Sequence, residues 1–73
     1  MSIAPWTANM RRRQIDRAIV EIARQAGLTA ILMHGANHDK WYVNGVMVAV
    51  PRHREIGGRL AQTIIQQVKE ATR

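Results

Sequence analysis

The stretch His38-Asp39-Lys40-Trp41-Tyr42-Val43-Asn44-Gly45-Val46-Met47-Val48-Ala49-Val50-Pro51 decides how this chain folds. Asn44-Gly45 is its pivot. A two-residue type I′ turn needs positive φ at both central positions, and Asn followed by Gly meets that need at the lowest steric cost, so the flanking segments should pair antiparallel. Before the turn, side chains alternate: Asp39, Trp41 and Val43 share one face, and His38, Lys40 and Tyr42 share the other. After it, Val46, Val48 and Val50 alternate with Met47 and Ala49. Pro51, with no amide to donate, stops the strand at about Val50.

Working outward, His34-Gly35-Ala36-Asn37 supplies turn chemistry ahead of the hairpin. The apolar, partly β-branched run Leu28 to Met33 reads as a buried strand. Upstream of it, Ile15, Ala18, Ile19, Ile22, Ala23 and Ala26 recur at i, i+3, i+4, i+7, i+8 and i+11, the spacing of one helical face. This helix is expected over about Asn9 to Ala26, with Asn9 as N-cap and Gly27 closing the other end in a left-handed conformation. On the C-terminal side, Arg52 to Glu55 reads as a basic connection. Gly57-Gly58 then releases the chain into a second helix with Leu60, Ala61, Ile64, Ile65, Val68 and Ala71 on one face. Residues Met1 to Ala8 show no period and read as a leader that is either loose or packed by Trp6 alone. The remainder, 9–73, is one domain: an α+β sandwich of helix, three-stranded antiparallel sheet and helix, with both helices on one sheet face.

Composition narrows the function. At 73 residues the chain holds one modest core, so a covering partner would add stability. Eleven Lys and Arg against five Asp and Glu give a formal charge of +6, which favours a polyanionic partner, nucleic acid foremost. The basic residues are spread along the chain, which argues against a membrane surface. The absence of cysteine removes disulfides and cysteine-ligated zinc and fits a reducing compartment. No apolar run approaches the roughly 18 to 20 residues of a membrane span, so a cytoplasmic protein is expected.

Gly35-Ala36-Asn37-His38, the hairpin, and Val50-Pro51-Arg52-His53-Arg54-Glu55 together carry residue types suited to RNA cleavage without a metal or other cofactor. An imidazole near neutral pKa moves a proton to or from a 2′-hydroxyl or leaving oxygen, and nearby Lys or Arg steadies the phosphate. His38 is the candidate acid or base; Lys40, Arg52 and Arg54 are candidate phosphate contacts. Tyr42, on the His38 face, is the candidate stacking residue, whereas Trp41 shares the core face of Val43. For His53 two readings stand, RNA contact and a bond to the start of the last helix. His34 and His38 are four apart on a turn with no carboxylate secured as third ligand, so no metal site is expected. Arg11-Arg12-Arg13 reads as the solvated start of a helix.

These segments resemble the HicA family of toxin ribonucleases, which have a double-stranded-RNA-binding-like fold. In that family a Gly-Ser-His turn, or a Gly-Gly-Asn-His variant, enters the second strand, and a Val-Pro-x-His segment ends the third. Gly35-Ala36-Asn37-His38 and Val50-Pro51-Arg52-His53 occupy those places, Ala26-Gly27-Leu28 matches the usual end of the first helix, and the likeness covers about Ile15 to Val68. The resemblance implies a catalytic role for His38, cleavage of messenger RNA, and restraint by a HicB-type antitoxin. The chain departs from the pattern at Ala36, at Asn37 and at Asp39, where many members carry a second histidine. Two further readings are a non-catalytic RNA-binding module of the same fold and an inactive relative that binds an antitoxin-like partner.

Overall fold

A computed structural model describes residues 8–73. Its elements are β1 (Met10–Arg11), α1 (Arg12–Gln25), β2 (Ile31–His34), β3 (His38–Val43), β4 (Val46–Pro51), β5 (Glu55–Ile56) and α2 (Gly58–Ala71). Strands β2, β3 and β4 form an antiparallel sheet in that order, and β1 pairs with β5 as a separate two-residue ladder. The leader expected over Met1 to Ala8, Trp6 included, lies outside the described residues apart from Ala8.

The hairpin follows from its turn. Asn44 has φ 53° and Gly45 φ 78°, both positive as a type I′ turn requires, and Val43 faces Val46 across the closing rung. The register then places Trp41 opposite Val48 and Asp39 opposite Val50. All four are buried, while His38, Lys40, Met47 and Ala49 are exposed on the other side. The alternation therefore assigned the faces of β3 correctly. Val46 shares the helix-facing side but is 45% exposed, because it sits at the last rung beside the turn.

Helix α1 buries Ile15, Ile19 and Ala23, and α2 buries Ala61, Ile64, Val68 and Ala71. With Trp41, Val43, Val48, Val50 and Ile56 they form one continuous core on one side of the sheet. Leu60, placed by its period on the buried face of α2, is 44% exposed in the first turn. Gly27, at φ 74°, ends α1 as expected: its N–H donates to Arg24 O, and the Leu28 N–H joins that of Ala26 on Ala23 O.

Three expectations are corrected. Helix α1 starts at Arg12, and Arg11 is its N-cap. An arginine side chain cannot accept, so only the reciprocal half of a capping box forms, with Arg11 N–H donating to Gln14 Oε1 at 2.9 Å. Asn9 serves the other helix, where its Oδ1 accepts from Gly58 N–H at 3.0 Å. The run after Gly27 pairs only from Ile31, and β2 is an edge strand rather than a buried one, with Ile31 and Met33 each 55% exposed.

Candidate functional site

The turn between β2 and β3 is tight for a specific reason. Gly35 N–H donates to His38 O at 2.9 Å. A Cβ on Gly35 would stand 2.7 Å from that same carbonyl oxygen and 3.3 Å from Lys40 Cε. Glycine is required here by close approach of backbone to backbone, and the Lys40 stem lies across the space it leaves open. Arg52, just beyond the end of β4, closes the turn. Its guanidinium donates to the carbonyls of Gly35 and Ala36, and its Nε donates to Asp39 at 2.9 Å. A planar fork with five donors can hold three acceptors at once, which a lysine ammonium cannot reproduce with the same geometry.

Asp39 is the hub beneath the turn. Buried at the start of β3, its Oδ1 accepts from Arg52 Nε and from His34 Nδ1 at 2.7 Å, and its Oδ2 pairs with Arg12 at 2.7 Å. Hydrogen bonds from Arg52 and His34, opposed by burial and joined by Arg12, hold its carboxyl well below the usual range. An ionised carboxylate only accepts, so His34 Nδ1 carries the proton of that bond. Arg12 extends the network: Nε donates to Asp16 at 2.9 Å and Nη1 to Pro51 O at 3.0 Å. Burial disfavours the Arg12 charge, but hydrogen bonds to Asp16 and Asp39 outweigh it and raise its pKa. Trp41 Nε1 donates to Asp16 at 2.9 Å, so the network runs from the core to the turn. Among the described residues no buried side-chain nitrogen or oxygen lacks a partner.

The residues singled out by sequence fall into three places. His38, Lys40 and Tyr42 lie together on the open sheet face, His38 and Lys40 exposed and Tyr42 half-buried. Cross-strand neighbours on that face are Pro51 opposite His38, Ala49 and Met33 opposite Lys40, and Met47 and Ile31 opposite Tyr42. Arg52 stands at the junction, its side chain 43% exposed and engaged with the turn. His53 and Arg54 line a separate cleft shared with the N-terminal end of α1. The fold thus joins His38 to Lys40 and Tyr42, and separates them from His53 and Arg54.

His34 and Arg12 are parts of the site that the sequence pattern does not single out. His34 shares the helix-facing side with its cross-strand partner Asp39, whereas His38 points to the other side, so the two imidazoles diverge. A charged residue on the Trp41–Val43 face was the available signal, since an aspartate at a core position requires cationic partners. Among the described residues no three histidine or acidic side chains converge as metal ligands, and no helix is long and apolar enough to cross a membrane. Comparison of the chain with protein-family models, with curated proteins and with solved structures found no match in any of the three.

Proposed function

We propose that this protein is an endoribonuclease of the HicA toxin type, cutting messenger RNA without a metal, with His38 as general acid or base. The observation that carries the reading is the placing of His38: an exposed imidazole beside Lys40, on a turn held by Gly35 and Arg52. A proton carrier must reach substrate yet keep its position, and this one meets solvent from an ordered backbone. In the step envisaged, the RNA 2′-hydroxyl loses its proton and its oxygen attacks the adjacent phosphorus. The P–O5′ bond breaks, leaving a 2′,3′-cyclic phosphate, and the departing O5′ takes up a proton. His38 serves one of these transfers and water the other, and the Lys40 ammonium steadies the charge on the phosphate. The reading includes a double-stranded-RNA-binding-like arrangement of helices and sheet, and a small acidic HicB-type antitoxin as the restraining partner.

The test is cleavage of labelled single-stranded RNA in the presence of a chelator. Cleavage should persist, stop when the residue at the cut site is 2′-deoxy, and leave a cyclic phosphate. Cutting of DNA at a similar rate, or full inhibition by the chelator, refutes it. A second reading, a non-catalytic RNA-binding module, is favoured by the company Tyr42 keeps. Ile31, Met33 and Met47 around it make an exposed surface on which bases can stack. That reading requires binding with no cleavage at all.

A further inference from the structure

The fold divides the Arg11-Arg12-Arg13 run. Arg12 turns inward, its side chain 14% exposed, and is consumed by Asp16, Asp39 and the Pro51 carbonyl. Arg11 and Arg13 remain exposed and make no side-chain bond among the described residues. The β1–β5 ladder sets Arg11 opposite Glu55, and Arg12 N–H donates to Arg54 O at 2.8 Å. Two segments far apart in sequence, 11–13 and 52–55, therefore form the two walls of one cleft of about 700 Å³. Its lining is five arginines, His53, Asp16 and Glu55, without an apolar side chain. Asp16 is already balanced, since Arg12 and Arg52 together offset the charges of Asp16 and Asp39. Glu55 is the single acid left to oppose the exposed cations.

We propose that this cleft is a phosphate-binding subsite for the backbone of an RNA strand, with Arg11, Arg13 and Arg54 as its ligands. The proposal rests on the ribonuclease reading in taking RNA as the ligand. Guanidinium forks match phosphate oxygens in pairs and bind without regard to sequence. An acidic protein would bring apolar anchors as well, and the cleft offers none a pocket. Position adds to the argument. His38 pairs with Pro51 across the sheet, so the cleft begins one residue beyond the rung that carries the proposed proton carrier. Arg52 belongs to both, lining the cleft while holding the carbonyls of Gly35 and Ala36. A strand held in the cleft is thereby led past the edge of the sheet toward the face of His38, and Arg52 keeps the two sites in fixed relation.

The test measures binding of the full chain to a labelled single-stranded 2′-O-methyl oligoribonucleotide, which keeps the phosphates but offers no nucleophile. The triple variant Arg11→Gln, Arg13→Gln, Arg54→Gln should lose about 2 from the slope of log affinity against log salt, at about 0.7 per phosphate contact. A control of equal charge change at the far ends of the helices, Arg24→Gln, Lys69→Gln, Arg73→Gln, should keep the parental slope. Glu55→Gln removes the opposing acid and should tighten binding, which protects the test against a triple variant that folds poorly. A triple variant with parental slope and affinity, or a weaker-binding Glu55→Gln, overturns the cleft and leaves His38 untouched. If the triple variant loses slope while the parent leaves unmodified RNA intact, the cleft stands and the ribonuclease reading falls. A parent that does not bind the oligonucleotide ends both. Loss of binding to a glutamate-rich peptide with the RNA slope unchanged reassigns the cleft to an acidic protein.

Discussion

Removing the Asp39 carboxylate should cost more stability than any surface change, and the structure sets the scale. Asp39→Ala leaves Arg12 with Asp16 and one carbonyl, Arg52 with its two turn carbonyls, and His34 with no partner in the network. Breaking a fully buried ion pair by removing one partner costs about 3–5 kcal/mol. Here the carboxylate is 7% exposed and Arg12 14%, but Arg52 is 43% and His34 72% exposed, so their lost bonds are largely replaced by water. Arg12 also keeps a second carboxylate. The expected loss is therefore about 2–3 kcal/mol, below the fully buried case, which at this chain length lowers Tm by about 10–20 °C. The pH dependence carries a sign. Because the folded-state pKa is depressed, the unfolded chain takes up the proton first; the contribution is fully present above the ordinary carboxylate range and is lost as pH falls below it. Asp39→Asn should thus unfold with a flatter acid dependence than the parent. Thermal unfolding followed by circular dichroism across acid to neutral pH measures both. A parental Tm for Asp39→Ala at neutral pH, or equal acid slopes for parent and Asp39→Asn, would show that the hub is an ornament of the surface.

Trp41→Ala should lose about 3–5 kcal/mol in urea unfolding, since it empties a core position and leaves Asp16 without its indole donor; a loss under about 1 kcal/mol would remove Trp41 from the core. His38→Ala should unfold at the parental temperature yet lose 10²- to 10⁴-fold in RNA cleavage, while His34→Ala, on the opposite face, should fall far short of that loss. Equal losses for the two variants would contradict the assignment to the open face. Gly35→Ala forces its Cβ against the His38 carbonyl 2.7 Å away. It should cost about 1–3 kcal/mol as the backbone shifts and should reduce cleavage along with stability; unchanged behaviour in both assays would mean that the turn is slack.

What the sequence made legible was what repeats or what has one steric solution. Helix α1 shows its face over several turns. Asn44-Gly45 admits one turn class, and that turn fixes the register of β3 on β4, from which the exposure of His38 and Lys40 and the burial of Trp41 follow. The β1–β5 ladder was not legible, because two residues have no period and its register depends on tertiary packing. The cleft formed by Arg11, Arg13 and Arg54 was hidden for the same reason. Arg12 could not be told from its neighbours, since the choice of which arginine turns inward is made by Asp39, a residue far along the chain. Asn9 has the chemistry of an N-cap, and it caps, but across space and on the other helix. Leu60 follows the apolar period of α2, yet it stands at the margin of the buried stripe of Ala61, Ile64, Val68 and Ala71.

The turn bearing His38 gets its order from charge-assisted hydrogen bonds rather than apolar contact, and Arg52 is where that can be tested. By residue type Arg52 is a candidate phosphate contact; the structure commits three of its five donors to Asp39, Gly35 and Ala36. Arg52→Lys separates the two roles, because it keeps the positive charge and loses the planar fork. If Arg52 serves only to attract RNA, the variant should keep the parental salt slope and cleave normally. If it clamps the turn, the salt slope should again be kept, but cleavage should fall and the Gly35 amide, which donates to His38 O, should exchange its hydrogen faster. The clamp predicts that rate and exchange change together while electrostatic affinity does not. A variant that cleaves at the parental rate with an equally protected Gly35 amide would show that the guanidinium contacts follow the turn rather than hold it.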